Sequence, residues 1–229
     1  MLRLNSMKAK LKSRQEIAGK FCLIEFDTLG QPVDFEPGQF FNLTLLNPPL
    51  SDGRGNSRYF GFTNTPGETV IQMIMKQGTS AFKKTLQALP IGTEVEIDKI
   101  GGKIDLSQNP SQLLIFIVDS IGIAPVISII RFIKDKNLNY KITLIYVNSE
   151  KESALFFDEL KTAEKVNPFF KLIPVTVIDG KLIQNNFKNL NDNLYFVKGE
   201  QKFVVSVIKI LKDFGIEINK ISPEIFTGY

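Results

Sequence analysis

Two rhythms of apolar residues divide the chain. In its first half, apolar and polar positions alternate over short runs: 9–18 (AKLKSRQEIA), 21–27 (FCLIEFD), 40–46 (FFNLTLL), 58–63 (RYFGFT), 69–75 (TVIQMIM) and 93–100 (TEVEIDKI). A period of two turns one face of a segment inward, which is the pattern of a half-buried strand. Turn formers separate the runs, as at Leu29-Gly30-Gln31-Pro32, Glu36-Pro37-Gly38 and Thr65-Pro66-Gly67. Short strands so spaced predict an antiparallel barrel or sandwich. One helix interrupts them at 80–89 (SAFKKTLQAL), with Ser80 placed as N-cap and Phe82, Leu86 and Leu89 on one face.

Residues 105–112 (DLSQNPSQ) break that rhythm, and a different one follows. The run 113–118 (LLIFIV) is apolar on both faces, and a helix follows with Pro125 near its first turn and Val126, Ile129, Ile130 and Ile133 at helical spacing. Next come the strand 141–147, the helix 153–166, the strand 170–178, a less regular segment, the strand 193–198 and the helix 202–215. Fully apolar strands alternating with helices predict a parallel sheet covered by helices. The expected architecture is therefore two domains: an N-terminal antiparallel β-barrel over 1–106 and an α/β parallel-sheet domain over 107–229. Ligands of such sheets bind beyond the carboxyl ends of the strands, at helix N-termini. Three turns lie at that edge: 119–125 (DSIGIAP), 148–154 (NSEKESA) and 198–202 (KGEQK).

Composition narrows the chemistry. The 28 basic and 24 acidic residues are dispersed, so no nucleic-acid surface is expected. Histidine is absent, which removes Ser-His-Asp and Cys-His catalysis and imidazole metal sites. Cys22 stands alone, so iron–sulfur and structural zinc sites are not expected, and redox chemistry must come from an organic cofactor. Residues 1–20 lack the apolar core of a signal peptide. The longest apolar stretch, 113–130, carries Asp119, Ser120, Gly122 and Pro125 at its centre, which fits strand, turn and helix rather than a membrane span. The expectation is a cytoplasmic protein.

Several segments, in order, resemble the ferredoxin–NADP reductase superfamily in its stand-alone form without an iron–sulfur domain. Residues 35–43 (FEPGQFFNL) look like its barrel-strand signature, and 57–66 (SRYFGFTNTP) occupies the place of its flavin motif. Residues 78–86 (GTSAFKKTL) look like the turn and helix that receive the flavin pyrophosphate. In the second half, IGIAP matches the tail of the nicotinamide-side turn, while 142–160 and the closing ISPEIFTGY fit the layout.

The resemblance implies an enzyme: an oxidoreductase that binds FAD and takes a hydride from NADPH or NADH, passing electrons to a protein, a quinone or free flavin. It implies that Arg58, with Gly78, Thr79 and Ser80, holds the pyrophosphate; a guanidinium fork and helix-start amides suit such an anion. Tyr59 and Phe60 pack on the flavin ring, Met75 and Lys76 line its other edge, and Gly61 faces its reactive edge. Phe226 and Tyr229 cover the ring. Ser120, Gly122, Ile123, Ala124 and Pro125 form the dinucleotide turn, joined by Lys198 and Gly199. Each residue also has a structural reading: Arg58 as a surface cation, Phe60 as barrel core, Ser80 as a helix cap.

The chain departs from the pattern in places. Phe60 stands for a tyrosine and Gly61 for a hydroxyl residue. The paired glycines of the dinucleotide turn are missing and a carboxylate, Asp119, stands there, while Lys198 and Glu200 replace a cysteine and a proline. A carboxylate repels a pyrophosphate. Lys198 has three readings: it attracts a phosphate, or it pairs with Asp119 or with Glu200. An Asp119–Lys198 pair would close the dinucleotide turn. Choice of dinucleotide falls to Asn148, Ser149, Glu150 and Lys151, which carry both signs of charge and leave it open. The alternative reading is a degenerate flavin-binding or cofactor-free module that acts through protein interaction.

Overall fold

The computed structural model describes residues 6–102, 104, 106, 111–148 and 154–226. The chain forms two compact units; the first runs to Ile104 and takes in Ala124–Phe132, and the second takes the segment ending at Ile123 and the chain from Ile133 onward.

The first unit holds β1 (Met7–Ile17), β2 (Phe21–Asp27), β3 (Phe40–Leu45), β4 (Ser57–Gly61), β5 (Val70–Lys76), helix α1 (Ala81–Ala88) and β6 (Glu94–Gly101). The six strands form one antiparallel sheet in the order β4-β3-β6-β1-β2-β5. Past β4 the chain turns back onto both neighbours: the Phe62 amide donates to Gln39 O at 3.1 Å and the Thr63 amide to Gln72 O at 2.9 Å. The sheet thereby curls into the predicted barrel. Alternation does the sorting, since Ala9, Leu11, Ile24, Phe26, Leu43, Ile71, Met73, Val95 and Ile97 meet in one core that also takes Phe82 and Leu86 of α1. Ser128 Oγ donates to Asn64 O at 2.6 Å, and Arg131 Nη1 to Thr63 O and Gln72 Oε1, both at 2.8 Å.

The second unit holds β7 (Leu114–Val118), β8 (Ile142–Val147), α3 (Phe157–Val166), β9 (Phe170–Val175), α4 (Gly180–Asn186), β10 (Leu194–Gly199), α5 (Gln201–Asp213) and β11 (Ile221–Ile225); α2 (Ile123–Asp135) begins at its edge. The strands are all parallel, in the order β11-β10-β7-β8-β9. Every residue of β7 is buried, as a central strand covered on both faces requires.

Three details differ from expectation. Helix α3 starts at Phe157 rather than 153, because Phe156 takes a left-handed conformation (φ 58°). The less regular segment contains α4, capped by Asp179, whose carboxylate accepts the Leu182 amide at 2.8 Å. The segment 221–225 is a strand despite Pro223, which β11 tolerates because it lies at the sheet edge. Among the described residues, no helix is long and apolar enough to cross a membrane.

Candidate functional site

Strand β4 and the start of α1 bring the flavin-side residues together. Tyr59 projects to the outer surface, 53% exposed, with its ring edge-on to Phe40 at 5.4 Å. Phe60, on the other face, is half-buried against the barrel core, with ring centres 6.3 Å from Phe41 and 6.0 Å from Phe82. The Arg58 guanidinium carbon lies 5.2 Å from the centre of the Phe82 ring. Its Nη1 donates to the carbonyls of Arg54 (3.0 Å), Gly55 (3.3 Å) and Ser57 (2.6 Å). Its Nε and Nη2 are buried with no acceptor among the described residues. Buried donors of a charged group left without acceptors are costly, so this arrangement suits an anion bound against them.

Helix α1, which follows β5 in sequence, brings its first turn beside them through Phe82. Ser80 is its N-cap, Oγ accepting the Lys83 amide at 3.4 Å. The Ala81 amide donates to Asp52 Oδ2 at 3.1 Å, and Asp52 also pairs with Arg54 at 2.7 Å. The Arg54 side chain, the Arg54 amide and the Ala81 amide hold the Asp52 carboxyl well below the usual aspartate range. Lys83, in the first turn of α1, is 6% exposed and lies over Gly78, where an added Cβ would meet Lys83 Cδ at 2.9 Å. A cation in a first helical turn opposes the helix dipole, so its position there fits an incoming negative charge.

Two expected contributors have other places. Met75 is turned into the barrel core, 1% exposed, and does not line an open edge. At Gly61 an added Cβ would lie 3.1 Å from Pro125 Cδ and 3.5 Å from Ala124 Cβ, so this glycine serves a close approach of chain segments. Lys76 ends β5 half-buried. Tyr229 and residues 149–151 lie outside the described residues.

In the second unit, the turn after β7 closes on one side chain. Asp119 Oδ1 accepts the Gly122 amide at 3.0 Å, ahead of α2, and Oδ2 accepts the Glu200 amide at 2.7 Å, ahead of α5. Burial pushes the Asp119 carboxyl up, against the pull of those amides. Ser120 is half-buried, Ile123, Ala124 and Pro125 are buried, and Pro125 lies within the first turn of α2.

The proposed Asp119–Lys198 pair does not form. Lys198, 3% exposed, pairs with Glu224, the residue beside it in the parallel β10–β11 register. Asp119 and Lys198 meet only through backbone, the Asp119 amide reaching Lys198 O at 3.3 Å. The expected alternative partner, Glu200, is instead the N-cap position of α5. Both glycines of this region are sterically required. A Cβ on Gly122 would lie 2.0 Å from Lys198 O, and one on Gly199 would lie 2.4 Å from Asp119 Oδ2. The Phe226 amide donates to Gly199 O at 2.8 Å.

Sequence reasoning missed Asp52, Arg54 and Lys83. The lysine had a readable signal, a cation just inside a capped helix start. Asp52 had none, being 29 residues from the amide it meets.

No family model matches the chain. It is 24% identical over 215 residues to flavohemoprotein A of Dictyostelium discoideum, covering 86% of this chain and 54% of that protein. It is likewise 24% identical over 213 residues to reductase component 1 of a Comamonas terephthalate 1,2-dioxygenase, covering 86% of this chain and 61% of that one. The chain thus spans little more than half the length of these relatives. Among solved structures, the ferredoxin–NADP+ reductase of Plasmodium falciparum superposes with a TM-score of 0.80 at 17% identity, covering 99% of this chain and 100% of that one.

Proposed function

We propose that this chain, which has the two-domain fold of the ferredoxin–NADP reductase superfamily, is a flavin-dependent oxidoreductase taking reducing equivalents from a reduced nicotinamide dinucleotide. Its flavin domain is assigned to 1–106 and its nucleotide domain to 107–229. The observation that carries the reading is Arg58, whose buried Nε and Nη2 lack acceptors beside a capped helix start. FAD, when bound, supplies the chemistry of accepting an electron pair and releasing it onward.

The chain's own residues bind and orient. Arg58 and the amides at the start of α1 hold the diphosphate, with Lys83 adding positive charge, and Phe60 with Phe82 offers an apolar wall. Gly78 keeps the backbone close to that seat. The single cysteine cannot hold an iron–sulfur cluster, so the acceptor lies outside these residues. The acceptor this reading calls for is a protein, a quinone or free flavin.

A second reading, a flavin-binding module that acts through protein interaction, is favoured by one observation: Asp119 already takes the two helix-start amides of the nucleotide unit. An anaerobic titration of the FAD-supplemented protein with NADH and then NADPH separates the two. Bleaching of the flavin absorbance is the expected result. A yellow protein bleached by neither donor would replace the first reading with the second, and a protein that stays colourless after FAD supplementation would remove both flavin readings.

A further inference from the structure

Neither α2 nor α5 has an acidic residue in its first turn, and Glu200, at the N-cap of α5, makes no side-chain cap hydrogen bond. Each helix start carries a partial positive charge and free amides, and in open α/β folds such starts receive the anionic part of a ligand. Here one carboxylate serves both. Asp119 takes the Gly122 amide ahead of α2 with one oxygen and the Glu200 amide ahead of α5 with the other.

The surrounding chain is shaped to this side chain. Gly199 leaves the space the carboxylate occupies, because a Cβ there would lie 2.4 Å from Oδ2 and 2.5 Å from Cγ. Gly122 lets the turn close on Lys198 O. Among the described residues the nearby Lys198 ammonium pairs with Glu224 and not with Asp119. The two glycines retained in these turns are thus accounted for by the carboxylate and the backbone.

We propose that Asp119 is a built-in anion seated where a nicotinamide dinucleotide would place its diphosphate, so that the dinucleotide binds this unit only by displacing it. The proposal rests on the reading that the second unit takes a dinucleotide. It makes Asp119 the residue that sets donor affinity. A phosphate entering the seat must take the Gly122 and Glu200 amides from a carboxylate held by two charge-assisted hydrogen bonds, and it meets like charge until that carboxylate moves.

The test uses the full chain, supplemented with FAD, and calorimetric titration with NADH, NADPH and adenosine. Asp119→Asn, which keeps the shape and removes the charge, is expected to tighten NADH or NADPH binding at least tenfold and to leave adenosine, which has no phosphate, unchanged. Asp119→Glu, which keeps the charge, is expected to remain weak. Should Asp119→Asn fail to fold, Asp119→Ser is read in the same way. Equal or weaker dinucleotide binding by the neutral variants than by the native chain would overturn the proposal and leave the nucleotide reading standing. Absence of dinucleotide binding by every form, neutral variants included, would overturn both.

Discussion

Removing the partner of Lys198 decides whether that lysine belongs to the fold or to a ligand. Its ammonium is buried, 3% exposed, at the end of β10, and the paired Glu224 side chain on β11 keeps 23% exposure. Glu224→Gln leaves the positive charge in place without its counter-charge. Two unit charges 4 Å apart attract by about 4 kcal/mol at an effective dielectric of 20. Stripping one partner from a buried pair typically costs about 3–5 kcal/mol. Glu224 is partly wetted and glutamine keeps one acceptor oxygen, so the expected loss falls just below that range, at about 2–3 kcal/mol. The control is Lys198→Met with Glu224→Leu, expected to range from neutral to about 4 kcal/mol stabilising, because no charge is then desolvated. Urea unfolding followed by circular dichroism measures both, with hydrogen exchange of the β7 and β10 amides reporting on the second unit separately, since two units need not unfold together. A cost below about 0.5 kcal/mol for Glu224→Gln would mean the pair has the worth of a surface contact and would refute the argument. The double variant should also bind NADH as the native chain does. A tenfold loss would return Lys198 to the ligand.

Other outcomes follow from the same geometry. Arg58→Ala removes the buried donors of the flavin seat and should weaken FAD binding by about 10- to 100-fold, the equivalent of one charge-assisted hydrogen bond, as read by quenching of flavin fluorescence. Asp52→Ala frees the Ala81 amide and should tighten FAD and FMN binding several-fold without changing riboflavin, which lacks a phosphate; equal effects on all three would count against a phosphate at α1. Gly122→Ala drives a methyl group to 2.0 Å from a backbone oxygen and should lower the melting temperature by about 10 °C or more, since backbone has no rotamer in which to yield. Because burial raises the Asp119 carboxyl above its ordinary 3.8, its contribution to stability is present in full below that pH and is lost as pH rises through the raised value. Asp119→Asn should flatten that part of the stability profile, and an unchanged profile would show that Asp119 does not titrate there.

The strands were legible wherever one face is buried and the other wet, because alternation then records the sheet directly. In β5, however, Ile74 and Met75 are neighbours that are both buried, so the pattern could not say which of them faces the barrel core. The edge strand β11 was hidden by Pro223 and by its mostly exposed residues, which carry little apolar signal. Helix α4 is only seven residues long, and its opening glycine is set by packing: a Cβ on Gly180 would lie 2.0 Å from the Phe214 ring. The site divides similarly. Ser80 was readable as a helix cap from local spacing, and it caps α1, whereas Arg58 was singled out through the family resemblance. The partner of Lys198 depends on the register between β10 and β11, which a single sequence does not encode locally.

Asp52 and Asp119 perform the same substitution with different strength. Asp52 is held by one amide of α1 and by Arg54, close to water, where a competing phosphate gains the second set of donors that Arg58 offers. Asp119 is half-buried, takes two amides from separate segments, and is backed by a glycine shaped to its oxygens. Exchanging a carboxylate for a phosphate should therefore be easier in the first unit than in the second, since Asp52 gives up one helix-start amide and Asp119 gives up two. With the proposed cofactors, FAD is therefore expected to bind more readily than the dinucleotide, which parallel titrations with FAD and NADH would check.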